Sequence, residues 1–271
     1  NTYICGRIHN SATLFVIDLN NTYANPDDDR IRLMEPLDHN GKEYAHNIFT
    51  LAEDRENNIW IATDEGTGVI YEPRYIFDEN MLQPNRIRIT EEGFTQYLLR
   101  DNTINDIYTD PANRKWFATE KSGVMLFSAD GGQLISHFTT QNSPLLSDKV
   151  HTLSMNTEKG EMFFGTSKGI VSYRSKTAEA KSDFSQTYVF PNPVKHGYNG
   201  PITITGLVHG VNIKITDISG NLVYETVAEG GQAIWRGRTL EGRKVSTGVY
   251  LVFITNEDGS QTHIEKILFI K

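Results

Sequence analysis

The chain of 271 residues holds one cysteine, no long apolar run and scarcely a helical stretch. With Cys5 alone no internal disulfide can form, so the fold must rest on packing, and one thiol does not identify the redox compartment. Cys5 lies in an apolar run without a neighbouring histidine, which favours a buried thiol over a nucleophile. The absence of 18 consecutive apolar residues excludes a membrane-spanning helix. The first residue is Asn1, with no signal-like segment behind it, and the chain therefore reads as trimmed. No glycine-rich loop opens a helix, so no phosphate cradle is expected. The eight histidines are scattered; the nearest pair, His39 and His46, lacks the spacing of a metal motif. Asp27, Asp28 and Asp29 lack the alternate-position acids and glycine of a calcium loop and read as a solvated turn. Isolated carboxylates such as Glu53 and Asp54 do not by themselves define an acid–base pair. The expectation is a non-enzymatic chain with no catalytic residue, no metal site and no cofactor.

What is present is a soluble-type composition, 38% hydrophobic and 10% aromatic, long enough for two cores. The charge is divided unevenly. Residues 1–183 carry 18 Lys and Arg against 27 Asp and Glu, a net of −9, whereas residues 184–271 carry 8 against 7, a net of +1. An acidic first domain argues against nucleic acid, whose phosphates need a basic surface, and against unassisted adsorption to anionic lipid.

Residues 1–183 repeat themselves. Two strand-like runs, 3–8 and 12–17, precede a polar connection, and a pattern then recurs from His46. Each copy has an alternating strand ending at a polar turn (Asp54, Asp110, Asn156), an aromatic strand ending in threonine (Thr63, Thr119, Thr166), and a glycine-led third strand (Gly68, Gly123, Gly169). The threonines stand 56 and 47 residues apart, periods that belong to propeller blades. Trp60, Trp116 and Phe163 occupy equivalent places and are expected to pack between blades, while Ala62, Ala118 and Gly165 permit close approach. The three glycines are expected to supply the freedom of the next tight turn. The unequal spacing puts insertions in the connections, 73–95 among them, and such connections are where propellers bind ligands. The ligand-binding residues are not identified; Tyr97 and Tyr198 suit stacking on sugar and core packing equally well.

This pattern resembles the two-component-regulator propeller repeat, in Asp54, Trp60, Thr63 and Gly68, in Asp110, Trp116, Thr119 and Gly123, and in a worn third copy at Asn156, Phe163, Thr166 and Gly169. The resemblance implies an incomplete propeller, its last blades only, because three copies and a partial one cannot close a ring.

At Pro191-Asn192-Pro193 the chain changes character. Neither proline can donate to a central ladder, so the segment reads as a stiff entry into a new domain, 184–271. Strand-like runs follow at 201–205, 211–216, 221–227, 232–235, 248–255 and 262–270, with hairpin turns at 219–221 and 257–259. With 188–190 they predict a seven-stranded antiparallel Ig-like sandwich. The fold class is thus all-β: a partial propeller followed by a sandwich.

Four pieces in order, Pro191-Asn192-Pro193, the hairpin of Asp217, Gly220 and Val223, the Gly248–Tyr250 pair, and the closing strand with Lys266 and Lys271, resemble the C-terminal sorting domain of type IX secretion substrates. The flagellar hook-capping sandwich is also similar, except that Arg236 stands where its Trp-Asp-Gly-Arg pattern has the acid. Propeller repeats joined to this domain resemble a component of the type IX attachment complex. That resemblance implies a cell-surface, outer-membrane-associated protein, exported through the periplasm. Its partners would be a PorU-like sortase, PorV-like and PorQ-like outer-membrane proteins, and anionic lipopolysaccharide presented to the sortase. Two other readings stay open: a propeller sensor ectodomain of a two-component regulator, and a secreted polysaccharide-processing protein carrying a sorting domain.

Overall fold

The computed structural model describes residues 12–22, 24–38, 40–77, 83–91 and 94–270. The run at 3–8, Cys5, His39 and Lys271 lie outside the described residues. Contacts divide the chain into two units: 1–109, 113–154 and 163–173 form the first, and 110–112, 155–162 and 174–271 the second.

The first unit is a series of short antiparallel sheets. Strands β1 (Leu14–Asp18) and β2 (Arg30–Met34) pair as a ribbon. Strands β3 (Ile48–Glu53), β4 (Ile59–Thr63) and β5 (Gly66–Ile70) form a meander. The insertion that follows holds a separate hairpin, β6 (Arg88–Glu91) with β7 (Phe94–Tyr97). A full four-stranded blade then follows, ordered β11-β10-β9-β8, from β8 (Ile104–Thr109), β9 (Lys115–Thr119), β10 (Val124–Phe127) and β11 (Leu134–Phe138). The third copy is the meander β12 (Val150–Asn156), β13 (Glu161–Thr166) and β14 (Gly169–Arg174).

The middle strands β4 and β9 are buried along almost their whole length, as strands covered on both faces must be. Trp60 packs on Phe117 of the next sheet at 6.1 Å between ring centroids, and Trp116 on Phe164 and Tyr173 at 5.8 and 5.9 Å. In the third copy, however, Phe163 at the tryptophan position is only half-buried, and the buried ring is Phe164. Successive strand residues face opposite sides, so Phe164 meets Trp116 while Phe163 points the other way.

Each threonine closes its own turn. Thr63, Thr119 and Thr166 donate Oγ1–H to the carbonyls of Gly66, Gly123 and Gly169 (2.8, 2.9 and 2.7 Å). They also accept from the N–H of Glu65, Ser122 and Lys168. The turn glycine of the first copy is therefore Gly66, not Gly68. Gly66 has φ +96°, whereas Gly68 sits inside β5 opposite Ile61, where a Cβ would collide with the Tyr44 hydroxyl.

A charge is buried in this unit. The Lys115 side chain is fully covered, and its ammonium donates to the carbonyls of Asn113 (2.6 Å) and Ala129 (2.8 Å). It stands 3.4 Å from Asp54 Oδ2 and 4.9 Å over the Trp60 ring. Asp54 also accepts from Asn58 N–H and Nδ2 and from the Trp60 indole N–H (2.9, 3.2 and 2.9 Å). Burial pushes the Asp54 carboxyl up, but these donors together outweigh it and hold the group below the ordinary carboxylate range.

The second unit is a two-layer sandwich. One sheet, ordered β15-β16-β19, contains β15 (Tyr188–Phe190), β16 (Ile202–Thr205) and β19 (Gln232–Trp235). The other, ordered β18-β17-β20-β21, contains β17 (Asn212–Asp217), β18 (Leu222–Val227), β20 (Gly248–Thr255) and β21 (Thr262–Phe269). Seven strands enclose one core, with Ile204, Ile213, Ile215, Val252, Ile254 and Ile267 at its centre. Ile213 and Ile215 face inward and alternate with exposed Asn212 and Lys214, which fixes the register of β17.

Candidate functional site

Two segments of the sandwich 74 residues apart in sequence meet at its lateral edge. The prolines at 191 and 193 carry no N–H, so the pairing begun by β15 ends there, and the Asn192 side chain takes over. Its Nδ2 donates to the Lys266 carbonyl (2.7 Å) and its Oδ1 accepts from Leu268 N–H (3.0 Å). A carboxamide holds a donor and an acceptor side by side and so substitutes for a backbone pair on a free strand edge. Val194 then resumes real backbone pairing, donating to Leu268 (2.8 Å) and accepting from Ile270 N–H (2.9 Å). Both X-Pro bonds are cis. Pro191, Asn192, Pro193 and the backbone of Lys266 thus form one clasp on the outer edge of β21; the Lys266 side chain is exposed.

The other motif residues act on neighbouring strands. Asp217 closes the β17–β18 hairpin, accepting from Ser219 and Asn221 N–H (2.8 and 3.0 Å) and from Asn221 Nδ2 (2.8 Å). The Asn221 amide is the chief cause holding its carboxyl below the usual range. Gly220, with φ +86°, makes the turn itself. Val223 is half-buried against the core, and its carbonyl accepts from Leu240 N–H (2.9 Å). Gly248 starts β20. Tyr250, opposite Asp217 in the ladder, donates its hydroxyl to the Ser246 carbonyl (2.9 Å). Its ring meets Trp235 and Phe269 edge-on at 5.8 and 5.3 Å, and burial pushes its hydroxyl pKa up. Tyr250 and the clasp therefore both bear on β21, while Asp217, Gly220 and Val223 shape the opposite hairpin.

Sequence reasoning did not foresee that the turn at 235–238 closes without the missing acid. The Trp235 indole N–H donates to the Arg238 carbonyl (2.8 Å), and Gly237 at φ +64° passes against the Phe269 ring. Arg236 is exposed in the place of the acid. Of the two aromatic candidates, Tyr198 donates its hydroxyl to the Pro201 carbonyl (2.8 Å). Tyr97 already carries the Arg86 guanidinium on its ring, 4.2 Å from the centroid. Asp28 accepts from Thr22 and Asn20, and among the described residues no group of three metal-ligating side chains converges.

Residues 188–271 match the secretion system C-terminal sorting domain, and residues 45–65 match the two component regulator propeller. No curated protein matches the chain. Among solved structures, PorZ of the type-IX secretion system of Porphyromonas gingivalis is 28% identical, with a TM-score of 0.64 over 95% of this chain and 35% of that one. This chain thus spans about a third of the PorZ chain it matches. The extracellular domain of a protein classed as a hybrid two component system, from B. thetaiotaomicron, is 12% identical over 88% of this chain and 34% of that one, with a TM-score of 0.39. The sorting domain goes with an extracellular or cell-surface location, and no helix among the described residues is long and apolar enough to cross a membrane. A propeller-repeat match and a sorting-domain match follow one another along this chain as the sequence led us to expect, and the chain is similar to PorZ of the type IX secretion system across both.

Proposed function

We propose that this chain belongs to a non-enzymatic, outer-membrane-associated surface component of the type IX attachment complex. In this reading the protein binds anionic lipopolysaccharide and presents it to a PorU-like sortase. It docks through its sandwich beside PorV-like and PorQ-like proteins. The observation that carries the reading is the likeness to PorZ, described as an essential bacterial surface component of that system, across 95% of this chain, sorting sandwich included. The chemistry agrees. Two well-partnered carboxylates, Asp54 with Lys115 and Asp217 with Asn221, are engaged in holding strands and turns. A scaffold of this kind serves binding and presentation, and the covalent step is left to the sortase.

The test is affinity capture of the full-length protein from intact cells. Recovery of a sortase together with lipopolysaccharide supports the reading. Recovery of neither, with the protein whole in the inner membrane, overturns it in favour of a sensor ectodomain.

A further inference from the structure

The sandwich is closed on one flank by the clasp of Asn192 on β21, but on the opposite flank the two edge strands β18 and β19 leave a groove of about 370 Å³ between them. Lys176, Arg236 and Arg238 line it, against one acid, Glu229. This excess of positive charge stands out in a chain whose net charge is −8. Neither Lys176 nor Arg236 has an ion-pair partner among the described residues, and both side chains are exposed. Among the described residues the Arg238 guanidinium is committed to a neutral acceptor, the Gly242 carbonyl (2.7 Å).

The walls are fixed. Tyr224 lies on Trp235 with 6.3 Å between centroids and planes 27° apart, which sets the tyrosine ring as a flat wall of the groove. The Trp235 indole holds the Arg238 carbonyl, and Leu240 N–H ties the same loop to Val223 on β18. Thr226 adds a hydroxyl to the lining. Guanidinium groups recognise the planar or tetrahedral oxygens of carboxylate and phosphate, and an aromatic face with nearby hydroxyls suits the body of a sugar ring.

We propose that this groove binds an anionic saccharide, a sugar ring bearing a carboxylate or a phosphate, with Arg236, Arg238 and Lys176 on the charge and Tyr224 under the ring. The proposal deepens the function read above by placing the anionic ligand on the sorting sandwich, and in that respect it rests on that reading.

The experiment uses the full chain and measures calorimetric binding of polygalacturonate, neutral dextran, polyglutamate and vesicles of phosphatidylglycerol. The expected result is salt-sensitive binding of polygalacturonate and none of dextran. R236E/R238E should weaken binding by about tenfold or more, the span of one charge-assisted contact, and Tyr224→Ala should weaken it while R236K largely preserves it. Unchanged thermal melting of R236E/R238E separates loss of the site from loss of the fold. Binding of polyglutamate as tight as that of polygalacturonate, or equal binding to the lipid vesicles, overturns the saccharide assignment. If polygalacturonate binds the double variant as well as the parent, the groove is not the site. Lipopolysaccharide captured equally by parent and double variant would sink this proposal and leave the attachment reading standing, whereas capture by neither would count against both.

Discussion

Replacing Lys115 by methionine tests how the first unit is held. The third repeat supplies the substitution itself, because Met162 stands at the matching place one residue before its aromatic pair. Lys115→Met removes an ammonium that is fully buried, leaving Asp54, with a side chain 2% exposed, without its counter-charge. It also strips a donor from the carbonyls of Asn113 and Ala129. Removing one partner of a buried pair typically costs about 3–5 kcal/mol. Asp54 keeps the Asn58 and Trp60 donors, so the lower end, about 3 kcal/mol, is expected. For a unit of this size that is a fall in Tm of roughly 6–12 °C. Urea unfolding followed by tryptophan fluorescence measures it, since Trp60 lies directly beneath the ammonium. The double variant Asp54→Asn/Lys115→Met removes both charges and retains an acceptor for Trp60, and should recover about 1–2 kcal/mol of the loss. A single variant within about 1 kcal/mol of the parent, or strictly additive effects in the double variant, would refute the claim that the pair joins these sheets.

Acid should weaken the same unit. The folded carboxyls of Asp54 and Asp64 lie below their ordinary value: burial raises both, but donors from Trp60 and Asn58 in one case and from Asn47 and His46 in the other prevail. Their contribution is present above about pH 4, the unfolded carboxylate value, and is lost as pH falls through the lower folded value. Urea midpoints between pH 6 and pH 3 should show that decline, smaller in Asp64→Asn. Asn192→Ala removes both arms of the clasp and should cost about 1–2 kcal/mol, with faster amide exchange at Leu268; protection equal to the parent would show that the clasp holds nothing. Gly66→Ala should lose about 2–3 kcal/mol, because φ is +96° and a Cβ would sit 2.8 Å from the carbonyl oxygens of Leu98 and Leu99. Gly68→Ala meets only the movable end of Tyr44 and should be milder; the reverse order would restore Gly68 as the turn residue.

The blades were legible because each copy repeats the same local device: an Asp or Asn at a turn, a ring in the buried strand, a threonine closing the next turn. Between Gly66 and Gly68 the pattern offered two glycines, and only the reach of the Thr63 hydroxyl decides between them. In the same way Phe163 and Phe164 differ only in which face of β13 each occupies, and that depends on the sheet alongside. Lys115 could not be recognised as buried, since a lysine in a strand normally carries its charge to water and its acceptors come from three separate turns. The sandwich was read nearly strand by strand from alternation and turns. Its prolines read as a stiff entry, but the partner of the asparagine between them lies 74 residues away and no local pattern reveals it. The groove beside Tyr224 was hidden for the same reason, because Lys176 and Arg236 are 60 positions apart.

The clasp makes the start of the sandwich wait for its finish. Asn192 stands at the opening of the sandwich, yet the two backbone groups it grips belong to the sandwich's closing strand, some 74 residues later in the chain. Until residues 262–270 are available, the opening segment has nothing to hold, and the edge of β20 that takes up β21 stays bare. A chain broken off before that point therefore displays two unfinished edges at once, both bordering the place that β21 fills. The closed flank thus carries, on one side of the domain, the joint between its opening segment and its closing strand.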